Sequence, residues 1–110
     1  MAKWETSLDG YFDEILRKIE TGIMQGSMTA SLEAASDFRS GNARCSVRVF
    51  ERYSVVGTNR LSLSVTLFQG ETGPVRMCAV SAGGSEGMFL KINTWGEEAF
   101  LDKLRDLLLD

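Results

Sequence analysis

Apolar and polar residues alternate strictly between positions 60 and 68, where every second residue is a large aliphatic one: Leu61, Leu63, Val65 and Leu67. Successive side chains of a β-strand point to opposite faces, so this period of two predicts a strand with one buried face. Similar alternation recurs in 28–34, 43–56 and 75–79, and short glycine-containing turns separate these segments. Short connections favour antiparallel hairpins, so we expect an antiparallel meander.

Two helical patterns flank these strands. The first runs from Asp9, a candidate N-cap, to about Met24, and Gly26 is expected to end it. The second is expected to start at a capping box of Thr94 and Glu97. Each helix has one apolar stripe, which must cover an apolar surface.

Short strands are also expected over 3–8 and 88–92. The predicted fold is therefore α+β. It has an antiparallel sheet of about five to six strands, two amphipathic helices on one face of that sheet, and the order β-α-β5-α.

The length of 110 residues suits one domain over 1–110, and a hydrophobic fraction of 44% allows a core without metals or disulfides. No long apolar run is present, so neither a signal peptide nor a membrane span is expected. The two cysteines, Cys45 and Cys78, show no metal-ligand spacing and have opposite strand parity, so no bond between them is expected. These features favour the cytoplasm.

The chain contains no histidine. This excludes histidine-based acid/base catalysis and Ser-His or Cys-His nucleophile pairs, and we expect no catalytic residue, no metal site and no cofactor. Gly83-Gly84-Ser85-Glu86-Gly87 matches the G-x-S-x-G nucleophile elbow. A strand is expected after it and no histidine could activate Ser85, so a hairpin turn is favoured, with a loose anion nest as the alternative.

Arginine is the basic residue of the strand region. Six arginines lie between Arg39 and Arg76 against Glu51 and Glu71. If the apolar parity faces the helices, the opposite face presents one candidate ligand-binding surface: Arg44, Arg48, Phe50, Arg52, Arg60 and Arg76. Glu51 interrupts the apolar parity, which indicates a bulge, an exposed strand end or a buried carboxylate.

This arginine surface has three interpretations. It is a solvated face, a site for a small anionic or amphipathic ligand, or a self-association face that makes a homo-oligomer. Nucleic acid is disfavoured as a partner because the isoelectric point is near 5.0 and Phe50 would be a lone stacking residue.

Several segments resemble a family of small bacterial proteins, of Firmicutes type, that is classed only as a domain of unknown function. The similar segments are 31–38, 48–53, 59–60, 83–85 and 91–101. The resemblance implies a stand-alone bacterial cytosolic protein and assigns no activity or site. More loosely, the predicted architecture is similar to helix-grip domains of the START and Bet v1 type, which hold apolar ligands between sheet and helix.

From the sequence, the chain is expected to be a non-catalytic binding module that uses the arginine surface or a pocket between sheet and helix. The alternative is a homo-oligomeric structural or interaction protein. An enzyme would have to rely on carboxylates or on Cys78.

Overall fold

The computed structural model describes residues 1–53, 59–83 and 90–109, with side chains in the last range from residue 96 onward. The elements in chain order are β1 (Ala2–Leu8), α1 (Phe12–Gln25), β2 (Ser31–Ser40), β3 (Ala43–Tyr53), β4 (Arg60–Gln69), β5 (Val75–Gly83) and α2 (Leu90–Leu109). One antiparallel sheet has the strand order β1-β5-β4-β3-β2. The α+β class and the antiparallel meander are therefore confirmed.

The core lies between one face of the sheet and the two helices. The alternation in β4 is confirmed, since all four of its aliphatic residues are at most 1% exposed. They form one buried cluster with residues of both helices and of β5, including Ile19, Ile23, Phe100, Leu104 and Met77. We call this covered face of the sheet the helix side, and the opposite face the open face.

Both helices begin at residues other than those expected. The N-cap of α1 is Tyr11, without a side-chain hydrogen bond, so Asp9 does not cap the helix. Gly26 is the C-cap, as expected. Since α2 already includes Leu90, Thr94 lies within the helix and the predicted capping box is wrong. Glu97 instead accepts a hydrogen bond from the Gly83 amide at 2.5 Å, which joins the helix to the end of β5.

The described residues form one strand, a helix, four further strands and a second helix, which is five strands in all. The predicted strand over 88–92 accounts for the difference. Its residues 90–92 belong to α2, and the remainder lies outside the described residues, as do Gly84 to Gly87 of the G-x-S-x-G segment. The helix is favoured because Leu90 begins a long amphipathic segment that continues to Leu109 and can cover β5, β1 and β4.

Candidate functional site

The register of β3 against β4 divides the predicted arginine surface between two faces. Arg48 is paired with Val65 and Phe50 with Leu63, so the even-numbered residues of β3 lie on the helix side. Residues directly opposite each other in neighbouring strands share a face. The prediction that Arg44, Arg48, Phe50 and Arg52 lie opposite the helices is therefore wrong. Phe50 is 0% exposed and belongs to the core.

Contacts with the first helix explain why Arg44 is tolerated on the helix side. Its guanidinium lies 4.2 Å from the centre of the Phe12 ring, and Nη2 lies 2.7 Å from Asp13 Oδ1. The hydrogen bond from Arg44 lowers the pKa of Asp13. Helix α1 thus supplies both a ring and a carboxylate to this arginine, an arrangement that the strand pattern alone does not reveal.

Arg48 is buried, and all three nitrogens of its guanidinium donate hydrogen bonds. Its Nε donates to Glu20 Oε2 at 2.9 Å, its Nη2 to both oxygens of Asp37 at 3.1 and 3.3 Å, and its Nη1 to the carbonyl oxygens of Ser36 and Val47. Burial alone would lower the pKa of Arg48, but the hydrogen bonds to the two carboxylates outweigh this effect and raise it. The residue joins α1, β2 and β3, and its donors are occupied within the protein.

Arg52 lies at the end of β3 with its guanidinium 4.3 Å from the centre of the Phe100 ring. Burial lowers the pKa of this guanidinium, and its Nε is buried without a hydrogen-bond partner among the described residues. Arg52 therefore packs against α2, where the Phe100 ring covers one side of its guanidinium.

Arg60 and Arg76 do lie on the open face, as predicted, and both are exposed. Arg60 forms an ion pair with Glu51 on β3. Glu51 is opposite Ser62, so it lies on the open face and not at a covered position. Its carboxylate is not isolated, because it pairs with Arg60. Arg76, in contrast, makes no hydrogen bond or ion pair within the part of the chain that the structure describes.

A shallow groove of about 460 Å³ crosses the open face at the end where β1, β5 and β4 lie side by side. We call it the Arg76 groove. Its lining residues are Glu5, Thr6, Ser7, Thr66, Phe68, Arg76, Met77 and Cys78. Arg76 is paired with Phe68 on one side and with Ser7 on the other, so it lies beside an aromatic residue that is 46% exposed.

Of the six predicted site residues, only Arg76 lines this groove. Phe68 was missed, although the sequence carries a signal for it. It shares the parity of Ser62, Ser64 and Thr66, so it is a large aromatic residue on the otherwise polar face of β4.

The opposite strand parity of the two cysteines predicts that they lie on opposite faces of the sheet, and this prediction is also wrong. Cys45 is paired with Phe68 and Cys78 with Thr66, so both free thiols lie on the open face.

The described residues include no cluster of three or more cysteine, aspartate or glutamate side chains that could hold a metal ion. Within the same residues, neither helix is long and apolar enough to span a membrane. The groove offers a guanidinium, hydroxyls, an aromatic ring and a thiol, which can bind a ligand through charge-assisted hydrogen bonds and apolar contact.

A family model covers the whole chain. It matches residues 1–110 and is described as a family of unknown function, DUF6054. Among curated proteins and among solved structures, nothing matches this chain. The chain therefore belongs to the DUF6054 family of unknown function.

Proposed function

We propose that this protein is a non-catalytic binding module whose ligand is a small amphipathic anion held in the Arg76 groove. The observation that carries the proposal is the pairing of a guanidinium that has no partner among the described residues with the exposed ring of Phe68. A carboxylate, sulfate or phosphate ester fits the fork of donors on Arg76. An apolar tail then lies along the ring and the neighbouring strand.

The charges around the groove favour a single negative group. Glu5 lines the groove, but Lys3 lies 3.4 Å from its Oε1 and offsets its charge. The positive charge of Arg76 is not offset in this way by any described residue. Thr66 and Ser7 add hydroxyl groups that can donate to the same anion.

We place this activity in the bacterial cytoplasm. The resemblance to small bacterial proteins supports the origin, and the free thiols of Cys45 and Cys78, both half-buried, support a reducing compartment. A ligand held between sheet and helix, as in helix-grip domains, is less favoured. The described helix side is filled by buried side chains of the core, including Phe50, Phe100 and Leu104.

The test is calorimetric titration with decanoate, a single-chain amphipathic anion. Arg76→Gln removes the cation and keeps a polar side chain of similar length. We expect it to weaken decanoate binding roughly three- to tenfold, as for an exposed charge-assisted contact. The matched control is Arg17→Gln, which removes an exposed arginine from α1 and should leave the affinity unchanged.

Two results would contradict the proposal. One is the absence of decanoate binding by the unaltered protein, and the other is an equal loss of affinity in the Arg76 and Arg17 variants. The second result would mean that net charge, rather than the groove, attracts the anion.

A further inference from the structure

Strand β2 is an edge strand that the rest of the described molecule leaves uncovered. Nine of its ten residues, Leu32 to Ser40, are exposed, and only Ser31 is half-buried. The other edge strand, β1, differs because Ala2 and Leu8 are buried. A long edge with free backbone groups is a template for pairing with another strand.

The contacts of Arg48 show which backbone groups of β2 point outward. One atom, Arg48 Nη1, lies 3.2 Å from the Ser36 carbonyl oxygen and 3.0 Å from that of Val47. Ser36 and Val47 are directly opposite each other, so both carbonyls must point into the gap between β2 and β3. The backbone N–H and C=O groups of successive residues in an antiparallel strand point alternately to the two sides of the strand. Since those of Ser36 point to β3, those of Asp37 and Arg39 point to the free edge.

The side chains of the same two residues carry opposite charges. Asp37 is opposite Ser46 and Arg39 is opposite Arg44, so both lie on the helix side. Arg39 has no ion pair with another described residue. Asp37 is 60% exposed in its side chain and retains lone pairs beyond those used by Ser46 and Arg48. An opposite charge on a neighbouring strand would find both groups accessible.

We propose that β2 pairs with β2 of a second copy of this chain, antiparallel about a two-fold axis at Phe38, so that the two sheets form one continuous sheet. In this register Asp37 faces the partner's Arg39, and the reciprocal pair follows by symmetry. Phe38, 63% exposed on the open face, meets the partner's Phe38 at the centre. This inference goes beyond the proposed function and is independent of the Arg76 groove.

Charge selects this register over its neighbours. An axis at Asp37 would place two like carboxylates directly opposite each other, which is destabilising. An axis at Ser36 would place Asp37 beside the partner's Ala35 and form no ion pair between these residues. The irregularity between Leu32 and Ala34 also lies outside the segment 36–40 that pairs about Phe38.

Cysteine cross-linking tests the register. The experiment uses the full chain with Cys45→Ser and Cys78→Ser, because Cys45 is opposite Phe38 within the same sheet and would compete. Phe38→Cys places two thiols at a close, non-hydrogen-bonded pair on the axis, which suits a disulfide. Ser36→Cys is the matched control on the same strand and face.

We expect the Phe38→Cys protein to form disulfide-linked dimers at least roughly tenfold faster than the Ser36→Cys protein under mild oxidation. Equal rates, or faster linking through position 36, would overturn the register.

Sedimentation equilibrium of the unaltered chain tests the dimer itself. The average mass should rise towards twice the chain mass of 12.1 kDa between micromolar and millimolar concentrations. Arg39→Glu places an acid opposite the partner's Asp37 and should leave a monomer, whereas Arg17→Glu on α1 should dimerise as before. A concentration-independent monomer, or dimerisation of the Arg39→Glu protein equal to that of the unaltered chain, would overturn the proposal. The latter outcome would move the interface to another surface.

Discussion

At the scale of single residues, Arg48 connects three elements, α1, β2 and β3, through its hydrogen bonds. It is 7% exposed and donates to Glu20, Asp37 and two carbonyl oxygens. A buried charge is stable only when its partners are in place. Removal of Arg48 deletes all of these hydrogen bonds, and removal of either carboxylate leaves the buried guanidinium short of an acceptor, so this cluster should be sensitive to single substitutions.

Arg48→Met should therefore lower the free energy of unfolding by about 2–4 kcal/mol. Arg44→Met is the matched control on the same strand and face. Its carboxylate partner, Asp13, is 65% exposed, so the loss should be about 1 kcal/mol or less. Urea denaturation of both variants measures the difference. Equal losses would show that Arg48 gains nothing from its additional acceptors.

The carboxyl group of Asp37 gives the same cluster a pH dependence. The hydroxyl of Ser46, which donates to Asp37 at 2.6 Å, and the guanidinium of Arg48 lower its pKa. A lowered pKa in the folded state means that the unfolded chain binds more protons. The contribution to stability is therefore complete above the unfolded value near about 4 and is lost as pH falls through the folded pKa.

Urea midpoints measured from neutral to strongly acidic pH check this effect. The unaltered protein should lose stability below about pH 4, and Asp37→Asn should show a smaller loss over the same range. The Asn variant is expected to be the less stable protein at neutral pH. Parallel curves for the two proteins would contradict the assignment.

The strand parity of the arginines could be predicted from the sequence, but the face they occupy could not. Val47 and Val49 lie on one face of β3, and Arg44 and Arg48 lie on the other. Hydrophobicity alone assigns the face with the valines to the core. Pairing with β4 reverses this assignment. Two carboxylates and one ring of α1, together with Asp37 of β2, satisfy these arginines. Such partners are distant in sequence and are not visible in the alternation of one strand.

At the scale of elements, the two helices approach closely at Gly22. A methyl group at this position would lie 2.5 Å from Leu107 Cδ1 and 3.0 Å from Leu107 Cγ. Glycine within a helix costs about 1 kcal/mol relative to alanine. The close approach of α2 therefore explains why a residue that weakens α1 is present there.

Gly22→Ala should consequently stabilise the protein by less than the roughly 1 kcal/mol expected from helix propensity, or destabilise it. In a Leu107→Ala background the same substitution should recover the full gain. A double-mutant cycle by denaturation measures this coupling. An equal effect of Gly22→Ala in both backgrounds would show that Leu107 does not limit the space at position 22.

Elements with strong periodicity could be predicted from the sequence, whereas the starts of the two helices could not. Strand β4 and the end of α1 at Gly26 were confirmed. The predicted start of α2 was wrong because Thr94 and Glu97 match a local capping pattern, whereas the helix already includes Leu90 and Glu97 instead accepts a hydrogen bond from Gly83 at the end of β5. Tertiary contact therefore overrode a local signal.

At the scale of the whole molecule, the two proposed contact regions lie at opposite sides of the sheet. The Arg76 groove is lined by β1, β5 and β4, whereas the pairing edge is β2. Ligand binding and dimerisation can therefore be altered separately. The sequence predicted Arg76 as a site residue but not Phe68. The two residues become neighbours only through the strand order, which no single segment of the sequence encodes.

Phe68→Ala should weaken decanoate binding a few-fold without lowering stability by more than about 1 kcal/mol, since the ring is 46% exposed. Tyr53→Ala is the matched control, because it removes a 49% exposed ring from the open face at the opposite end of β3. Calorimetry measures affinity and denaturation measures stability. Equal affinities for the two variants would show that the aromatic ring in the groove does not contact the alkyl chain.

An NMR titration of the isotopically labelled protein with decanoate shows directly whether the open face of the sheet binds the ligand. We expect the largest shift changes at the Arg76 guanidinium and at the amides of the groove residues Ser7, Phe68, Arg76 and Cys78. Amides of α1 and of β2 should change little. Shift changes centred on the helix side, or spread evenly over the surface, would contradict the claim that the open face of the sheet binds the ligand.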